Sequence, residues 1–289
     1  GSPMPQYLLA MTIFGTIGLF VRYIELPSAL IAFCRGVTGT LFLLLVLWLL
    51  KKKLNRQALS ENAKMLAFSG IALGFNWIFL FEAYRLTSIA SATLTYYMAP
   101  VIVIALSPFI LKERVNAFQW LCVAIALLGM SFIAGIWEGS AGTGLKGIVM
   151  AFIAACFYAG IVICNKFMKN LGPYDSSIAQ LAISALVLIP YLCLTITPST
   201  LHADTMTVLL TLTVGVVHTG LAYWLYFSAL PTLSASRIAI FAYIDPAIAI
   251  VCSVFILKEP ISGLGIVGAI LILGATFVSE IVGMRQKNR

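Results

Sequence analysis

The chain has 289 residues, of which 61% are hydrophobic and only 10% are charged, and its mean hydropathy is +1.04. Soluble domains carry about 25% charged residues, so this composition excludes a water-soluble fold and indicates a protein whose solvent is largely lipid. The formal charge of +8 lies in short basic clusters between apolar runs. This pattern favours a membrane surface over nucleic acid as the partner.

A helix needs about 20 apolar residues to cross the hydrocarbon layer. The sequence predicts an all-α integral membrane protein with ten such spans, and the short connections between them contain the turn-forming residues. Because the connections are short, consecutive spans are predicted to be antiparallel. The predicted spans cover residues 7–24, 27–50, 64–86, 89–111, 116–136, 144–168, 173–196, 206–230, 235–257 and 262–284.

One stretch of the sequence occurs twice. The peptide SPFILKERV begins at Ser107, and SVFILKEPI begins at Ser253, which is 146 positions later. Upstream, Pro100 and Pro246 are related by the same offset, and each follows a tyrosine three residues earlier. The chain therefore divides into two copies of one unit, predicted at 4–138 for spans 1 to 5 and 139–289 for spans 6 to 10.

An odd number of spans per unit turns the second copy upside down in the membrane. Lys112 and Lys258 then end equivalent helices on opposite faces. Most Lys and Arg residues lie on the side that holds the two termini, which predicts cytoplasmic termini. Inverted repeats are typical of secondary transporters, which alternate access around a midplane site.

The two matched segments are APVIVIALSPFILKERVNAFQWLCVAIALLGMSFI and DPAIAIVCSVFILKEPISGLGIVGAILILGATFV. Together with the doubled five-span unit, they resemble the EamA-type members of the drug/metabolite transporter superfamily over essentially the whole chain. This resemblance implies a ten-helix fold whose central cavity is lined mainly by spans 1, 3, 4, 6, 8 and 9. It implies no particular substrate. The sequence departs from the family pattern at Asp245, where the first copy has Ala99.

Pro100 and Pro246 are expected near the middle of spans 4 and 9. A proline removes the hydrogen bond to the carbonyl four residues earlier, here that of Tyr96 or Ala242, and so bends the helix. The pair is interpreted either as two moving hinges or as two static bends.

Polar side chains at bilayer depth are costly and are therefore functional candidates. Asn76, His218 and Asp245 are expected near the midplane, and Glu82 nearer the outer face. None of the four is matched by a charged residue in the other copy. The predicted site between the halves is therefore chemically asymmetric.

His218 and Asp245 are on consecutive antiparallel spans and reach a similar depth, so they could touch. Such a pair could exchange a proton, which makes both residues candidates for proton coupling, or it could simply lock the two spans together. Glu82 either binds substrate at the outer mouth or pairs locally with Arg85. Arg35 is on a span that the family resemblance places at the periphery.

Aromatic residues accompany the polar ones. The predicted pocket could bind aromatic side chains, or hold a cationic amine by cation–π attraction. The alternative is that these rings only pack in the bundle. Trp48 and Trp137 lie near the ends of predicted spans and are expected at the membrane interface. The aromatic members of the predicted substrate site are Trp77, Tyr96, Tyr97, Tyr158 and Tyr243.

Small residues predict close helix packing, with Gly70 and Gly74 forming a GxxxG pattern on span 3 and Gly15 and Gly18 on one face of span 1. The six cysteines lie in or beside apolar runs and form no CxxC pair, so they are predicted to be small buried hydrophobes. No metal or cofactor is expected.

The sequence thus predicts a secondary transporter of small polar metabolites, most directly amino acids or related amines, in a bacterial inner membrane. Uptake of a quaternary amine such as choline by the same fold is an alternative, and a lipid-modifying membrane enzyme is the alternative from another class. The expected partners are a small-molecule substrate and membrane lipids. A monomer or a homodimer is expected.

Overall fold

The computed structural model describes residues 3–139 and 144–289, and helix is the regular structure found within those ranges. The α-helices are α1 (Pro3–Gly15), α2 (Ile17–Arg22), α3 (Ser28–Leu49), α4 (Arg56–Glu61), α5 (Ala63–Leu86), α6 (Ile89–Tyr96), α7 (Ala99–Ile110), α8 (Ala117–Ile133), α9 (Leu145–Phe167), α10 (Pro173–Thr195), α11 (Thr205–Gly215), α12 (Ala222–Ala229), α13 (Ala235–Phe241), α14 (Ile244–Val251) and α15 (Gly263–Lys287).

Within the described ranges, nine helical segments are long and apolar enough to cross a membrane, and α8 is a shorter tenth. The prediction of ten membrane helices in two inverted repeats of five is confirmed. Span 5 is shorter than predicted, because α8 ends before Gly135, which has the left-handed φ of 76° that commonly follows a helix end. The short helix α4, in the connection after span 2, was not predicted from the sequence.

The two ends of the bundle are identified by contacts between connections. At one end, called the Arg22 end, the Arg22 Nη2 donates to the Thr87 carbonyl at 2.9 Å. At the other, called the Lys51 end, the Asn62 side chain donates to the Lys169 carbonyl at 2.9 Å and accepts from its N–H at 3.0 Å. Successive spans run alternately between these two ends.

The packing follows the relation between the repeats. Helix α3 packs on α10, and α8 packs on α15, so spans 2 and 5 each meet their own mates. Helix α5 packs on α9 and α10, whereas its mate, the α11–α12 span, packs on α1 and α3. Further inter-repeat contacts join α6 to α9 and α14, and α1 to α14, and these helices meet in the middle of the bundle.

Glycines permit the closest helix approaches, as predicted. A Cβ at Gly15 would lie 2.6 Å from the Asp245 carbonyl oxygen, so spans 1 and 9 meet there backbone to backbone. A Cβ at Gly18 would lie 2.9 Å from the Ile89 side chain, and one at Gly70 would overlap Ile183 of α10. In lipid there is no hydrophobic driving force between helices, so the close packing that these small residues permit helps to hold the helices together.

Spans 4 and 9 are both interrupted at equivalent points. Between α6 and α7 the chain makes a turn at Tyr97 and Met98, and Pro100 lies in the first turn of α7. Between α13 and α14 it turns at Ala242 and Tyr243, just before Pro246. The predicted bends are therefore full breaks, which place the tyrosine of each repeat at a helix junction.

Two turns of π-helix distinguish the second repeat from the first. One covers Val216–Leu221 within span 8, and the other covers Cys252–Ile256 at the end of span 9. Their mates in α5 and α7 are ordinary α-helix. π-turns are often found at functional sites, and the first of these carries His218.

The end of the repeated peptide folds the same way in both copies. Lys112 and Lys258 both adopt left-handed backbone, with φ of 54° and 53°. The N–H of the following glutamate returns to the serine carbonyl six residues earlier, from Glu113 to Ser107 at 3.3 Å and from Glu259 to Ser253 at 2.9 Å. This is the pattern of a helix C-cap, and it sets the direction in which each glutamate leaves its helix.

The cysteine prediction is correct only in part. Cys122 and Cys252 are buried, but Cys156 and Cys193 are exposed on the outer surface of their helices, because the apolar runs that contain them also supply the bundle's outer face. Trp48 and Trp137 are exposed near helix ends, where an interface residue would lie.

The contact between α8 and α15 gives a stability prediction. A Cβ at Gly268 would lie 2.5 Å from the Gly129 carbonyl oxygen, whereas one at Gly274, on the same helix, would meet no atom within 4 Å. Gly268→Ala should therefore lower the melting temperature in detergent, because overpacking costs about 1–3 kcal/mol.

Gly274→Ala is the matched control and should leave the melting temperature unchanged or raise it, since alanine is the better helix former by about 1 kcal/mol. Equal melting temperatures for the two variants would contradict the close approach of α8 and α15.

Candidate functional site

Asn76 anchors the first polar cluster in the middle of the bundle. Its amide nitrogen donates to the Ala154 carbonyl of α9 at 2.7 Å and lies 3.1 Å from the Tyr96 hydroxyl. The side chain is only 1% exposed. Because the amide joins spans 3, 4 and 6, it fixes where the Tyr96 hydroxyl lies.

Tyr158, on α9 of the second repeat, continues this cluster. Its ring centroid is 5.6 Å from that of Tyr96. Tyr158 is 42% exposed, although its electrostatic neighbours are Tyr223, Tyr226, Asp245 and the more distant Glu280, all from the second repeat. The exposed surface of Tyr158 therefore faces a space between the two repeats.

Asp245 lies on the other side of that space. The Tyr97 hydroxyl lies beside its carboxylate, and the charge of Arg35 acts on it from a distance. The carboxylate is half-buried and comes directly before Pro246, in the first turn of α14. A charge this deep needs partners, and the residue beside Asp245 is Tyr97 of span 4.

A tyrosine pair related by the repeat completes the group. The Tyr97 and Tyr243 ring centroids are 6.2 Å apart. The Tyr243 hydroxyl is 3.2 Å from the Thr276 hydroxyl and 3.5 Å from a Glu280 carboxylate oxygen. Glu280 is thus a second carboxylate beside the site, and it was not predicted from the sequence because it lies near the end of the last span.

His218 lies in the π-turn and is 2% exposed. Its Nε2 is 3.0 Å from the Thr16 hydroxyl, and its Nδ1 is 3.4 Å from the Thr213 carbonyl. The ring also packs on Phe20, with centroids 4.7 Å apart.

The predicted contact between His218 and Asp245 is wrong in this structure, because the junction of α1 and α2 separates them. Thr16 contacts the imidazole, while the adjacent Gly15 packs against the Asp245 backbone. The close approach of span 1 to span 9 leaves no room for a direct pair.

Arg35 is the residue that sequence reasoning most underestimated. Its Nε donates to the Thr219 hydroxyl at 2.6 Å, its Nη2 lies 3.5 Å from the His218 carbonyl, and its guanidinium stacks 4.5 Å from the Trp77 ring centroid. The side chain is 6% exposed. Arg35 could have been identified from the sequence, because it is the charged residue within α3. It was given little weight because the family resemblance places this span at the periphery.

Glu82 is separate from these clusters. Its carboxylate accepts from the Ser28 hydroxyl at 2.5 Å and lies 3.6 Å from the Arg85 guanidinium. Arg85 also donates to the carbonyls of Ile24 and Leu26. Glu82 thus takes part in a local pair at the Arg22 end, the second of the two interpretations made from the sequence.

The structure therefore groups the predicted site residues into three sets. Around the central space lie Asn76, Tyr96, Tyr97, Tyr158, Tyr243 and Asp245. Trp77 and His218 lie beside Arg35. Glu82 lies at the Arg22 end.

The space between the repeats is closed at one end only. Helix α6, which starts at the Arg22 end, is buried along most of its length. Its mate α13 starts at the Lys51 end, where Arg237 and Ile240 are exposed, and none of its side chains described by the structure is buried. The same element is thus buried at the Arg22 end and only partly covered at the Lys51 end, where Ile238 and Phe241 pack against Tyr7 and its neighbours.

A shallow pocket of about 380 Å³ lies outside the closed Arg22 end, lined by Tyr23, Glu25, Asp204 and the start of α11. The Asp204 carboxylate accepts a hydrogen bond from the Thr207 N–H at 2.8 Å, which lowers the pKa of this carboxyl. Asp204 therefore serves as the N-cap of span 8.

Comparison with known proteins accounts for this architecture. The sequence pattern of the EamA-like transporter family matches residues 4–135 and again residues 145–280. The chain belongs to the EamA-like transporter family. A solved crystal structure has the same fold, with a TM-score of 0.65, 17% identity, and coverage of 97% of this chain and 98% of that one.

Curated relatives of this EamA-like protein are named as transporters. It is 34% identical to the uncharacterized transporter YxxF of Bacillus subtilis (strain 168) over 249 residues, which cover 85% of this chain and 79% of the relative. A "Probable amino-acid metabolite efflux pump" of Salmonella typhimurium is 24% identical over 229 residues, covering 75% and 76% of the two chains. The protein is thus a multi-pass membrane protein of a transporter family.

Proposed function

We propose that this protein is a secondary active transporter, driven by a gradient or by exchange, that carries small polar metabolites by alternating access. The observation that supports this most directly is the central space between two inverted repeats, which is buried at the Arg22 end and less covered at the Lys51 end. Inverted repeats with interrupted helices around a midplane site are the usual arrangement of secondary transporters.

The proposed substrate site is the central group of tyrosines with Asn76 and Asp245. The Asp245 carboxylate suits a cationic group such as an ammonium, and tyrosine rings attract the same charge through their faces. The Asn76 amide and the tyrosine hydroxyls supply hydrogen bonds to polar atoms. Amino acids and related amines fit this chemistry, and the relative named as an amino-acid metabolite pump points to the same class.

Uptake of a quaternary amine is the second candidate, because aromatic faces around a carboxylate also recognise a cation that has no N–H donors. An enzymatic role is not proposed, since curated relatives are named as transporters. The partners proposed remain a small-molecule substrate and lipids, with the protein acting as a monomer or a homodimer.

A thermal-shift screen tests the function before the substrate is identified. The purified protein should melt at a higher temperature with a soluble metabolite that binds the folded state, because binding stabilises by mass action. Amino acids, polyamines and choline are the probes, and hits are then measured for uptake or exchange in proteoliposomes. Turnover of a lipid, with no metabolite stabilising the protein, would contradict the proposal.

We also propose an orientation with the Lys51 end in the cytoplasm of a bacterial cell, since the basic residues concentrate there. A cysteine placed at Lys112 should then react with a membrane-impermeant thiol reagent only from the cytoplasmic side, and one placed at Lys258 only from outside. Whole cells and inverted vesicles provide the two sides. Labelling of both positions from one side would contradict the inverted arrangement.

Pro100 and Pro246 are proposed as hinges, because each follows a helix break at the same point of its repeat. Pro100→Ala and Pro246→Ala should each restore a backbone hydrogen bond, stiffen the junction and slow transport more than they weaken binding. Transport rate is compared with the thermal shift, and Pro108→Ala, inside α7, is the control. Wild-type rates in both variants would identify static bends.

Asp245 is proposed as the residue that faces the substrate cation or carries a coupled proton. Asp245→Asn removes the charge but keeps the shape, so it should leave the fold intact and abolish the pH dependence of transport in proteoliposomes. His218→Gln should weaken the same dependence less, because Gly15 and Thr16 of span 1 separate the imidazole from the carboxylate.

Glu82→Gln is the matched control, since it removes a carboxylate that lies in a local pair at the Arg22 end. It should leave the pH profile unchanged. A normal profile for Asp245→Asn, or a lost one for Glu82→Gln, would show that the coupling residue has been misassigned.

A further inference from the structure

The Arg22 end is closed by one carboxylate, that of Glu259, which follows span 9. One of its oxygens accepts from the Ile89 N–H, the first of α6, at 3.1 Å, and from the Ser253 hydroxyl at 2.9 Å. The other accepts from the Arg22 guanidinium at 3.0 Å. The Glu259 side chain is 15% exposed, so all three bonds are largely shielded from water.

Arg22 extends this contact to two more segments. Its Nε donates to the Tyr84 carbonyl at 2.8 Å, and its Nη2 donates to the Thr87 carbonyl at 2.9 Å. Spans 1, 3, 4 and 9 are therefore tied together at one point by Glu259 and Arg22. Hydrogen bonds between charged groups in such shielded places are the strong ones.

The opposite repeat contains the same parts. With the offset of 146 positions, Glu113 is the mate of Glu259, Ser107 is the mate of Ser253, and Ala235 is the mate of Ile89. The left-handed turns before the two glutamates match, as their φ angles show. Each helix start is also capped alike, by Ser88 Oγ at α6 and by Ser234 Oγ at α13.

At the Lys51 end these parts are separated. Glu113 is exposed, and within the described ranges its carboxylate has no hydrogen bond or ion pair. The Ser107 hydroxyl donates instead to the Val103 carbonyl at 2.7 Å. Helix α13, which would have to meet Glu113, is only partly covered, and its Arg237 and Ile240 side chains are exposed.

We propose that Glu113 closes the Lys51 end in the opposite state of the transport cycle. In that state its carboxylate accepts from the Ser107 hydroxyl and from the start of span 9 at Ala235, while the contact of Glu259 with Arg22 and Ile89 breaks. Met168 stands at the position matching Arg22, so the cation comes from a neighbouring lysine, Lys166 or Lys169. The inference rests on the proposed function, because it assumes that the two ends open in alternation.

This proposal gives the glutamate of each repeated peptide a role, which is to close one end of the bundle. Each glutamate lies just after its helix, where the left-handed lysine directs it across the bundle rather than along it. Because the bundle closes at one end at a time, a contact that stabilises the closed Arg22 end destabilises the closed Lys51 end, and the reverse. Removing the charge of Glu259 should therefore shift the population of states in one direction, and removing that of Glu113 in the opposite direction.

Reactivity of cysteines at two mated positions measures that population. Ala92 is fully buried on α6 and becomes accessible only when the Arg22 end opens, and Ile238 on α13 reports the Lys51 end. Ala92→Cys and Ile238→Cys are made separately in protein whose six native cysteines are replaced. The rate of reaction with a water-soluble maleimide is measured in detergent.

Glu259→Gln should raise the rate at position 92 by about tenfold, since it removes charged hydrogen bonds present only when the Arg22 end is closed. It should lower the rate at position 238. Glu113→Gln should change the rate at position 92 in the other direction, again by about tenfold, because the state that opens the Arg22 end loses its own stabilising contact.

Glu25→Gln and Glu61→Gln are the controls, being exposed glutamates at the Arg22 end and the Lys51 end respectively. Neither should change either rate. If Glu113→Gln changes neither rate, or raises both as general loosening would, the proposal is overturned. Melting temperatures identify a variant that fails to fold.

This experiment needs no substrate, so it separates the two ideas. Opposite shifts from the two glutamine variants would support the Glu113 contact even if the metabolite screen found nothing. Transport with unaffected cysteine reactivity would leave the function in place and overturn the role of Glu113.

Discussion

Hydrocarbon offers no hydrogen bonds, and this constraint shapes the whole chain. Every polar group at depth must find its partner within the bundle. Arg35 illustrates the result, since it is held by a threonine hydroxyl, a carbonyl and a tryptophan face rather than by a carboxylate in direct contact. The same need explains why Asn76 bonds across to Ala154. These inward contacts bring the two repeats together around a common space.

Duplication of the scaffold without duplication of its polar residues gives the protein one asymmetric site. The helix breaks and the turns of the repeated peptide are present in both halves. Asp245 and His218 occur in the second half only, so a substrate would meet different chemistry from each side of the space. The paired ends, by contrast, keep matching glutamates, serines and helix starts, although Met168 stands where the first copy has Arg22.

The fold was largely predictable, because length, apolar runs and the repeated peptide are properties of the sequence itself. Helix breaks at Pro100 and Pro246 followed from the chemistry of proline. The site was predictable only as a set of residue types. Whether His218 meets Asp245 depends on a third helix, since Gly15 lets span 1 lie between them, and no pairwise comparison of spans 8 and 9 contains that information. Arg35 was undervalued for a similar reason, since its partners come from spans 3 and 8.

The π-turn at Val216–Leu221 also changes how the halves can be compared. A π-turn takes up about one residue more than an α-turn, which rotates the side chains on one side of it by about 100° relative to those on the other. Helix α5, the mate of this span, contains no such turn. Residues of α5 and of the α11–α12 span that are 146 positions apart therefore face the same direction on only one side of the π-turn. A symmetrised chain that copied α5 into both α11 and α12 would place part of the copied face against lipid.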